Sequence, residues 1–216
     1  MAGEVAYNPN DPEQRSFLSA LAKGESGGNY AVGWGGTDLS GATRDQYGFP
    51  QWAGRPGPEG ISHAAGAYQF QPGTWKDVAS KYGLDFSKPG DQDAGAWYLA
   101  QETYASKTGR SLDADLNAGY LDKLQSALSR TWTSVTGNAS NPQGLAYAIT
   151  NGIGAELSPG ATDTSGTPSF LTNPMQAASA YFVRGGMILV GALILIVALW
   201  ALLSKADLLP SAVSAG

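Results

Sequence analysis

Residues 12–28 read PEQRSFLSALAKGESGG, and the prediction of the fold starts from them. Asp11 immediately before Pro12 is a helix N-cap and first-turn signal, and Gln14 occupies the capping-box position. Three apolar residues then recur at helical spacing: Phe17, Leu18 and Leu21. The Gly-Gly pair that closes the stretch is a typical helix stop. The stretch therefore predicts an amphipathic helix that ends just after Glu25.

Glu25 lies at the edge of the apolar face, in the last turn of this predicted helix. A cleft wall can desolvate the carboxyl group there, and the negative end of the helix dipole lies beside it. Both effects favour the protonated form. A carboxylic acid that stays protonated near neutral pH can protonate a glycosidic oxygen. On local grounds alone the alternative is an ordinary solvated glutamate in a last helical turn.

The remainder of residues 1–150 predicts more helices around a Gly-rich segment. Residues 31–62 combine many glycines and several prolines with scattered aromatic residues, which favours a small hairpin or a long loop. A second helix is predicted from Pro72 to Gly83, a third capped by Asp91, and a fourth at residues 121–132. The expected fold class is α+β, mainly α, with a small Gly-rich lobe of β-structure and loop.

Composition excludes several classes of function. The chain has 216 residues, a formal net charge of −5 and 14% charged residues, so no basic surface is available for nucleic acid. It has no cysteine and one histidine, His63, which excludes disulfides, thiolate metal sites and histidine triads. We therefore expect no metal, no cofactor and no nucleic-acid partner.

One segment dominates the hydropathy. Residues 185–203 read GGMILVGALILIVALWALL without a charge, between Arg184 and Lys205. At about 1.5 Å per residue such a helix spans roughly the hydrocarbon core of a bilayer. A buried core helix is the alternative, but core helices of this length usually have a polar face. The run predicts one transmembrane helix, with the lipid bilayer as partner and with its orientation open.

The segments around this helix complete the predicted organisation. Residues 151–180 are rich in Gly, Ser, Thr, Asn and Pro and resemble a flexible linker. A short apolar patch at residues 145–149 is expected to pack on the first domain. The N-terminal residues have neither the positive region nor the apolar run of a secretory signal. The predicted divisions are a domain at 1–150, a linker at 151–180, a transmembrane helix at 181–205 and a tail at 206–216.

Four motifs, in this order, resemble the lysozyme-like superfamily of phage endolysins and lytic transglycosylases, and above all its lambda-type endolysins. KGESGG (residues 23–28) is followed about forty residues later by AAGAYQFQPGTW (residues 64–75). FSKPGDQDAGAW (residues 86–97) resembles the segment that opens that family's next helix, and LSRTWTSV (residues 128–135) resembles its closing helix with a buried Trp. The resemblance covers about residues 12–136.

The resemblance implies roles for individual residues. Glu25 is expected to be the general acid and base. Tyr68 and Gln69 are expected either to line the sugar-binding groove or to close their turn against the catalytic helix. Three aromatic residues of the Gly-rich lobe are expected on the other wall of the groove: Trp34, Tyr47 and Trp52.

A second carboxylate distinguishes two reaction types. A hydrolase normally needs one, as nucleophile or as activator of water. Asp38 and Asp45 are candidates in the Gly-rich lobe and Glu59 is a weaker one, and none has a supporting motif. In lambda-type enzymes the C6 hydroxyl of the sugar attacks instead, giving a 1,6-anhydro product, and one Glu suffices. The resemblance therefore favours a lytic transglycosylase, with a two-carboxylate muramidase as the alternative.

The predicted anchor bears on the biological setting. A glycan-cleaving enzyme held at a membrane suits a phage virion that opens the cell wall during genome delivery, with other virion membrane proteins as possible partners. The expected location is a virion internal membrane or entry apparatus, or the host inner membrane facing the wall. Three alternatives remain: an enzyme of host lysis, a bacterial membrane-bound transglycosylase, and a virion protein that grips glycan without cutting it. A holin-like protein is disfavoured, because one span leaves most of the chain unexplained.

Overall fold

A computed structural model describes residues 4–137 and 144–150, and its first helix begins and ends where the sequence predicts. Helix α1 spans Pro12–Ser26, capped by Asp11 Oδ1, which accepts a hydrogen bond from Gln14 N at 2.9 Å. Gly27 ends it in the left-handed conformation, at φ 70°. The capping box is only half formed, because Gln14 Oε1 accepts from Asn8 N at 2.8 Å rather than from Asp11.

The next two helices follow the prediction with one correction. Helix α2 spans Pro72–Tyr82 and ends at Gly83 as expected. Helix α3 spans Pro89–Thr108, so it begins before Asp91, which is not its cap. Proline fits the first position of a helix, since its fixed φ suits the helix and its missing N–H needs no partner there. Asp91 lies in the first turn, where its carboxylate accepts from Asp85 N at 2.9 Å.

The C-terminal part of the described chain has shorter elements than the sequence predicts. Helix α4, Leu112–Asn117, was not predicted from the apolar pattern. Helix α5 spans Leu121–Leu128 and stops before Trp132, which was expected on the same helix. A 3₁₀ turn, Thr133–Thr136, and helix α6, Gly144–Thr150, follow.

The Gly-rich lobe, residues 31–62, contains two small antiparallel hairpins, where the sequence predicted a small hairpin or a long loop. Strand β1 (Val32–Gly33) pairs with β2 (Thr37–Asp38), and β3 (Arg55–Gly57) pairs with β4 (Gly60–Ser62). An isolated bridge from Gly33 to Ala65 connects the lobe with the segment that leads into α2.

The helices enclose a core built around large aromatic side chains. Phe17 of α1 packs edge-on against Trp97 of α3, with ring centroids 6.0 Å apart. Phe70 and Phe86 both pack edge-on against Trp75, with ring centroids 5.1 and 4.9 Å away. Helix α6 contacts α1 and buries three side chains, which confirms that the apolar patch packs on this domain: Leu145, Ala148 and Ile149.

No helix within residues 4–137 and 144–150 is both long and apolar enough to cross a membrane. The predicted linker (151–180), the transmembrane helix (181–205) with its apolar run (185–203), and the tail (206–216) lie outside the described residues.

Candidate active site

Glu25 lies in the last turn of α1, and its neighbour fixes that end of the helix. Ser26 Oγ donates a hydrogen bond to the Ala67 carbonyl at 2.9 Å and accepts one from Asn29 N at 3.0 Å. The end of α1 is therefore joined to the turn formed by residues 66–69, which belongs to a distant motif of the sequence.

The Glu25 carboxyl group is half-buried and has one residue as its hydrogen-bond partner among those that the structure describes. Oε1 accepts from Ser134 N at 3.1 Å and from Ser134 Oγ at 2.5 Å. Burial raises the pKa of Glu25 above its ordinary value, and the two Ser134 hydrogen bonds oppose that rise. The rise in pKa expected from the sequence is confirmed in direction.

Ser134 is the site residue that the sequence did not single out. It lies in the 3₁₀ turn, which follows Trp132, a side chain only 3% exposed. Trp132 Nε1 donates to the Tyr68 carbonyl at 3.0 Å, so this segment is held against the turn at residues 66–69. A serine two residues after a buried Trp carries no pattern of its own. Only the folded chain brings it within reach of Glu25, which lies 109 positions away.

The turn at residues 66–69 depends on a glycine and on a buried amide. Gly66 has φ 76°, and a Cβ there would lie 2.2 Å from Gln92 Oε1. Gln92 Oε1 accepts from Ala67 N at 3.0 Å, while its Nε2 donates to the Phe86 carbonyl at 2.8 Å. The two motifs at residues 64–75 and 86–97 therefore form one hydrogen-bonded unit beside the end of α1.

Tyr68 is buried, and its side chain binds α3. Its side chain is 1% exposed, and its hydroxyl donates to Asp93 Oδ1 at 2.7 Å. Tyr30 donates to the same oxygen at 2.7 Å, and Tyr7 lies 3.4 Å from Oδ2. Burial raises the pKa of Asp93, and these hydroxyls oppose the rise. The expectation that Tyr68 lines a sugar groove is thus wrong. Its ring is enclosed by the protein and its hydroxyl binds Asp93, so neither is accessible to a sugar.

Gln69 joins the turn to the Gly-rich lobe. Its backbone has φ 50°, in the left-handed region that residues other than glycine seldom adopt. Its Nε2 donates to the Gly66 carbonyl at 3.0 Å and reaches the Val32 carbonyl at 3.4 Å. The side chain is only half-buried, so its expected contact with sugar stays a prediction.

The three lobe aromatics are all half-buried. Trp52 lines a cavity of about 430 Å³ together with Asp38 and Arg55. Trp34 Nε1 instead donates to the Pro56 carbonyl at 3.2 Å. Tyr47 packs against the core, and its carbonyl accepts from Trp75 Nε1 at 2.9 Å. The expected place of these three aromatics on the wall of a sugar groove stays a prediction.

Two of the three candidate second carboxylates, Asp38 and Asp45, are engaged in local hydrogen bonds. Asp38 is exposed, and the hydrogen bond from Ser40 N at 2.9 Å helps hold its pKa below the ordinary value. Asp45 Oδ1 accepts from Tyr47 N at 2.8 Å and Phe49 N at 2.9 Å, which shapes the turn there. Glu59 is exposed between β3 and β4. In the described part of the chain, no three acidic or histidine side chains are grouped to hold a metal ion.

Comparison with solved structures finds this architecture in bacteriophage lambda lysozyme, in a complex with a chitohexasaccharide. The two chains are 22% identical, the match covers 70% of this chain and 98% of that chain, and the TM-score is 0.52. The fold is lysozyme-like. The mainly helical α+β class expected from the sequence is thereby confirmed for the matched part. No protein-family model and no curated protein sequence matches the chain.

Proposed function

We propose that this chain cleaves the glycan strands of peptidoglycan, with Glu25 as general acid and base. The observation that carries the proposal is the half-buried carboxyl group of raised pKa at the end of α1, in a lysozyme-like fold. A carboxylic acid with a raised pKa holds its proton near neutral pH, which proton donation to a leaving oxygen requires. The neighbouring fold was solved with a bound chitohexasaccharide, which supports a glycan as substrate.

The bond to be cut joins N-acetylmuramic acid to N-acetylglucosamine. Glu25 gives its proton to the bridging oxygen, which leaves as a hydroxyl of N-acetylglucosamine when the bond to the muramic C1 breaks. The muramic C6 hydroxyl then bonds to C1 and returns its proton to the Glu25 carboxylate. The product carries a 1,6-anhydro ring, no water is consumed, and Glu25 ends in its starting state.

The local bonds of the candidate second carboxylates favour this transglycosylation over hydrolysis. A hydrolase needs a second carboxyl group that acts on the sugar or on water. Asp38 and Asp45 each accept hydrogen bonds from backbone N–H groups of their own turns. Asp45 is committed to its turn, which leaves Asp38 as the better candidate for a two-carboxylate muramidase.

Glu25→Gln tests the catalytic role directly. The amide keeps the shape of the side chain but cannot supply a proton, so release of muropeptides should fall by at least about 100-fold. Turbidity of purified cell walls and chromatography of the released fragments measure the effect. Glu102→Gln is the matched control, since Glu102 lies on the surface beside Lys81. This variant should cleave walls at the wild-type rate. Clearing of walls by Glu25→Gln at the wild-type rate would refute the site.

Mass spectrometry of the digestion products tests the reaction type. Anhydro ends should appear in place of reducing ends, which are heavier by one water, and acetylation of the C6 hydroxyl should block cleavage. Asp38→Asn and Asp45→Asn should retain most of the activity, because neither carboxylate takes part in bond making. Reducing ends, together with a loss in one of these variants as large as in Glu25→Gln, would establish the muramidase alternative. Binding of walls by the wild type without fragment release would establish the non-catalytic alternative.

We further propose that residues 185–203 anchor the enzyme to a bilayer, and that it acts as part of a virion. The support is the uncharged apolar run and the Gly/Ser/Thr/Asn/Pro-rich segment before it. The full chain should partition into detergent micelles, whereas a chain ending at residue 184 should stay in the aqueous phase. Aqueous partitioning of the full chain would exclude the anchor. Immunodetection of the protein in purified particles tests the virion role.

A further inference from the structure

The hydrogen bonds to Glu25 distinguish its two carboxyl oxygens. Oε1 accepts both the N–H and the hydroxyl of Ser134. Among the residues that the structure describes, none donates to Oε2. A backbone N–H donates a hydrogen bond and cannot accept one. A proton on Oε1 would therefore point at the Ser134 N–H, which cannot reorient to accept it. The oxygen remote from Ser134 is therefore the favourable place for the acidic proton.

We propose that Ser134 is a positioning residue that holds Oε1 of Glu25, so that Oε2 carries the proton exchanged with the substrate. This inference rests on the proposed function and names the atom through which it acts. Ser134 Oγ and N together fix the plane of the carboxyl group as well as its distance from the 3₁₀ turn. A carboxyl group held in one orientation lowers the barrier to proton transfer more than one that rotates, because the proton already points in the required direction.

The donors of Ser134 are themselves held in place from two sides. Trp132 is tied to the Tyr68 carbonyl at 3.0 Å, and Val135 is fully buried. On the other side Gly144 approaches so closely that a Cβ there would lie 2.7 Å from the Val135 carbonyl oxygen. Ser134 itself is 2% exposed, so water has little access to its hydroxyl. The two donors are therefore oriented before a substrate arrives.

Ser134 also sets the working pH range of the acid. Its hydrogen bonds stabilise the ionised carboxylate and so lower the pKa of Glu25 against the effect of burial. Loss of the hydroxyl removes part of that opposition, so the pKa of Glu25 should rise. Since the acid must be protonated to act, the alkaline limb of the pH–rate profile should then move to higher pH.

The experiment compares Ser134→Ala, Ser134→Thr and the wild type, all as full-length protein. NMR titration of the ¹³C-labelled Glu25 carboxyl group gives its pKa without substrate, and wall cleavage gives the pH profile. Ser134→Ala should raise both the pKa and the alkaline limb and reduce the maximal rate about tenfold, as expected for a lost hydrogen bond to a charged group. Ser134→Thr keeps the hydroxyl and should restore the wild-type titration. Thr136→Ala, in the same 3₁₀ turn, is the control and should leave the titration unchanged.

If Ser134 had only a structural role, Ser134→Ala would lower stability and cleavage rate without changing the pKa of Glu25. That result would overturn the inference. A moved pKa in a chain that cuts no glycan would overturn the proposed function and leave the hold of Ser134 on Glu25 intact. A crystal structure of Glu25→Gln with chitohexasaccharide checks the atom. The glycosidic oxygen should face the side-chain atom remote from Ser134, and contact through the atom bound to Ser134 would contradict the assignment.

Discussion

The burial that keeps Glu25 protonated near neutral pH also works against the stability of the folded chain. Burial raises the pKa of this carboxyl group in the folded state, whereas the unfolded chain keeps the ordinary value near 4.3. The folded state therefore binds the proton more tightly than the unfolded state does. Stability falls as the pH rises from that ordinary value through the folded pKa.

Replacement of Glu25 by Gln should accordingly stabilise the protein at pH 8 by about 1 kcal/mol, or a few degrees in Tm, while it abolishes cleavage. The amide oxygen still accepts from Ser134, and no carboxylate has to be desolvated. The advantage should disappear at pH 4, where Glu25 is neutral in the wild type as well. Thermal melts at the two pH values measure it. A variant less stable than the wild type at pH 8 would mean that the Ser134 bonds outweigh desolvation.

At the scale of elements, two irregular segments are hydrogen-bonded to the end of α1. The turn at residues 66–69 contacts it through Ser26, and the 3₁₀ turn contacts it through Glu25. Each segment makes a close contact that involves a glycine. Gly66 of the turn lies beside Gln92, and Gly144 of α6 lies against Val135 of the 3₁₀ turn. The geometry of the site thus depends on positions where a single methyl group does not fit.

Gly66→Ala and Gly73→Ala should therefore have opposite effects. At Gly66 a methyl group would meet Gln92 Oε1 at 2.2 Å in a left-handed backbone, so we expect a loss of about 2–3 kcal/mol together with slower cleavage. Gly73 lies in the first turn of α2, with nothing within 4 Å of its Cβ position. Alanine there should stabilise by up to about 1 kcal/mol and leave activity unchanged. Urea unfolding measures both, and a neutral Gly66→Ala would show that the turn can relax.

At the scale of the molecule, the described fold extends to residue 150 and needs its last helix. Leu145 and Ile149 of α6 are at most 1% exposed, and α6 contacts α1, α5 and the 3₁₀ turn. Full burial of one such side chain contributes about 1.5–3 kcal/mol. The short α6 is therefore part of the domain that holds the candidate site.

Two truncations should separate this domain from the rest of the chain. A chain ending at residue 150 should fold cooperatively and release muropeptides at the full-length rate from walls in solution. A chain ending at residue 137 loses α6, so it should unfold several degrees lower and cleave much more slowly, because the 3₁₀ turn loses its support. Circular dichroism and wall turbidity measure the two effects. Equal behaviour of the two truncations would show that α6 is dispensable.

The sequence alone predicted where α1 and α2 begin and end, and it singled out Glu25 as the candidate acid. Proline and glycine mark the ends of α1 and α2, and the apolar spacing between them is local, so no distant residue has to be known. The same local signals placed Glu25 at a helix end, and the resemblance of the four motifs selected it as the acid over the solvated glutamate that local grounds also allow. They failed where a signal was ambiguous, as at Asp91, whose carboxylate binds Asp85 N instead of capping α3.

The contacts of the polar groups in the site are seen only in the tertiary structure. Ser134 reaches Glu25 across 109 positions, and Tyr68 turns away from any groove because a buried Asp93 binds its hydroxyl. Neither contact leaves a periodic trace in the sequence, since each depends on two segments that meet after folding. A hydrogen bond is short and directional, so a pattern that fixes the face of a helix does not fix the partner of one side-chain oxygen.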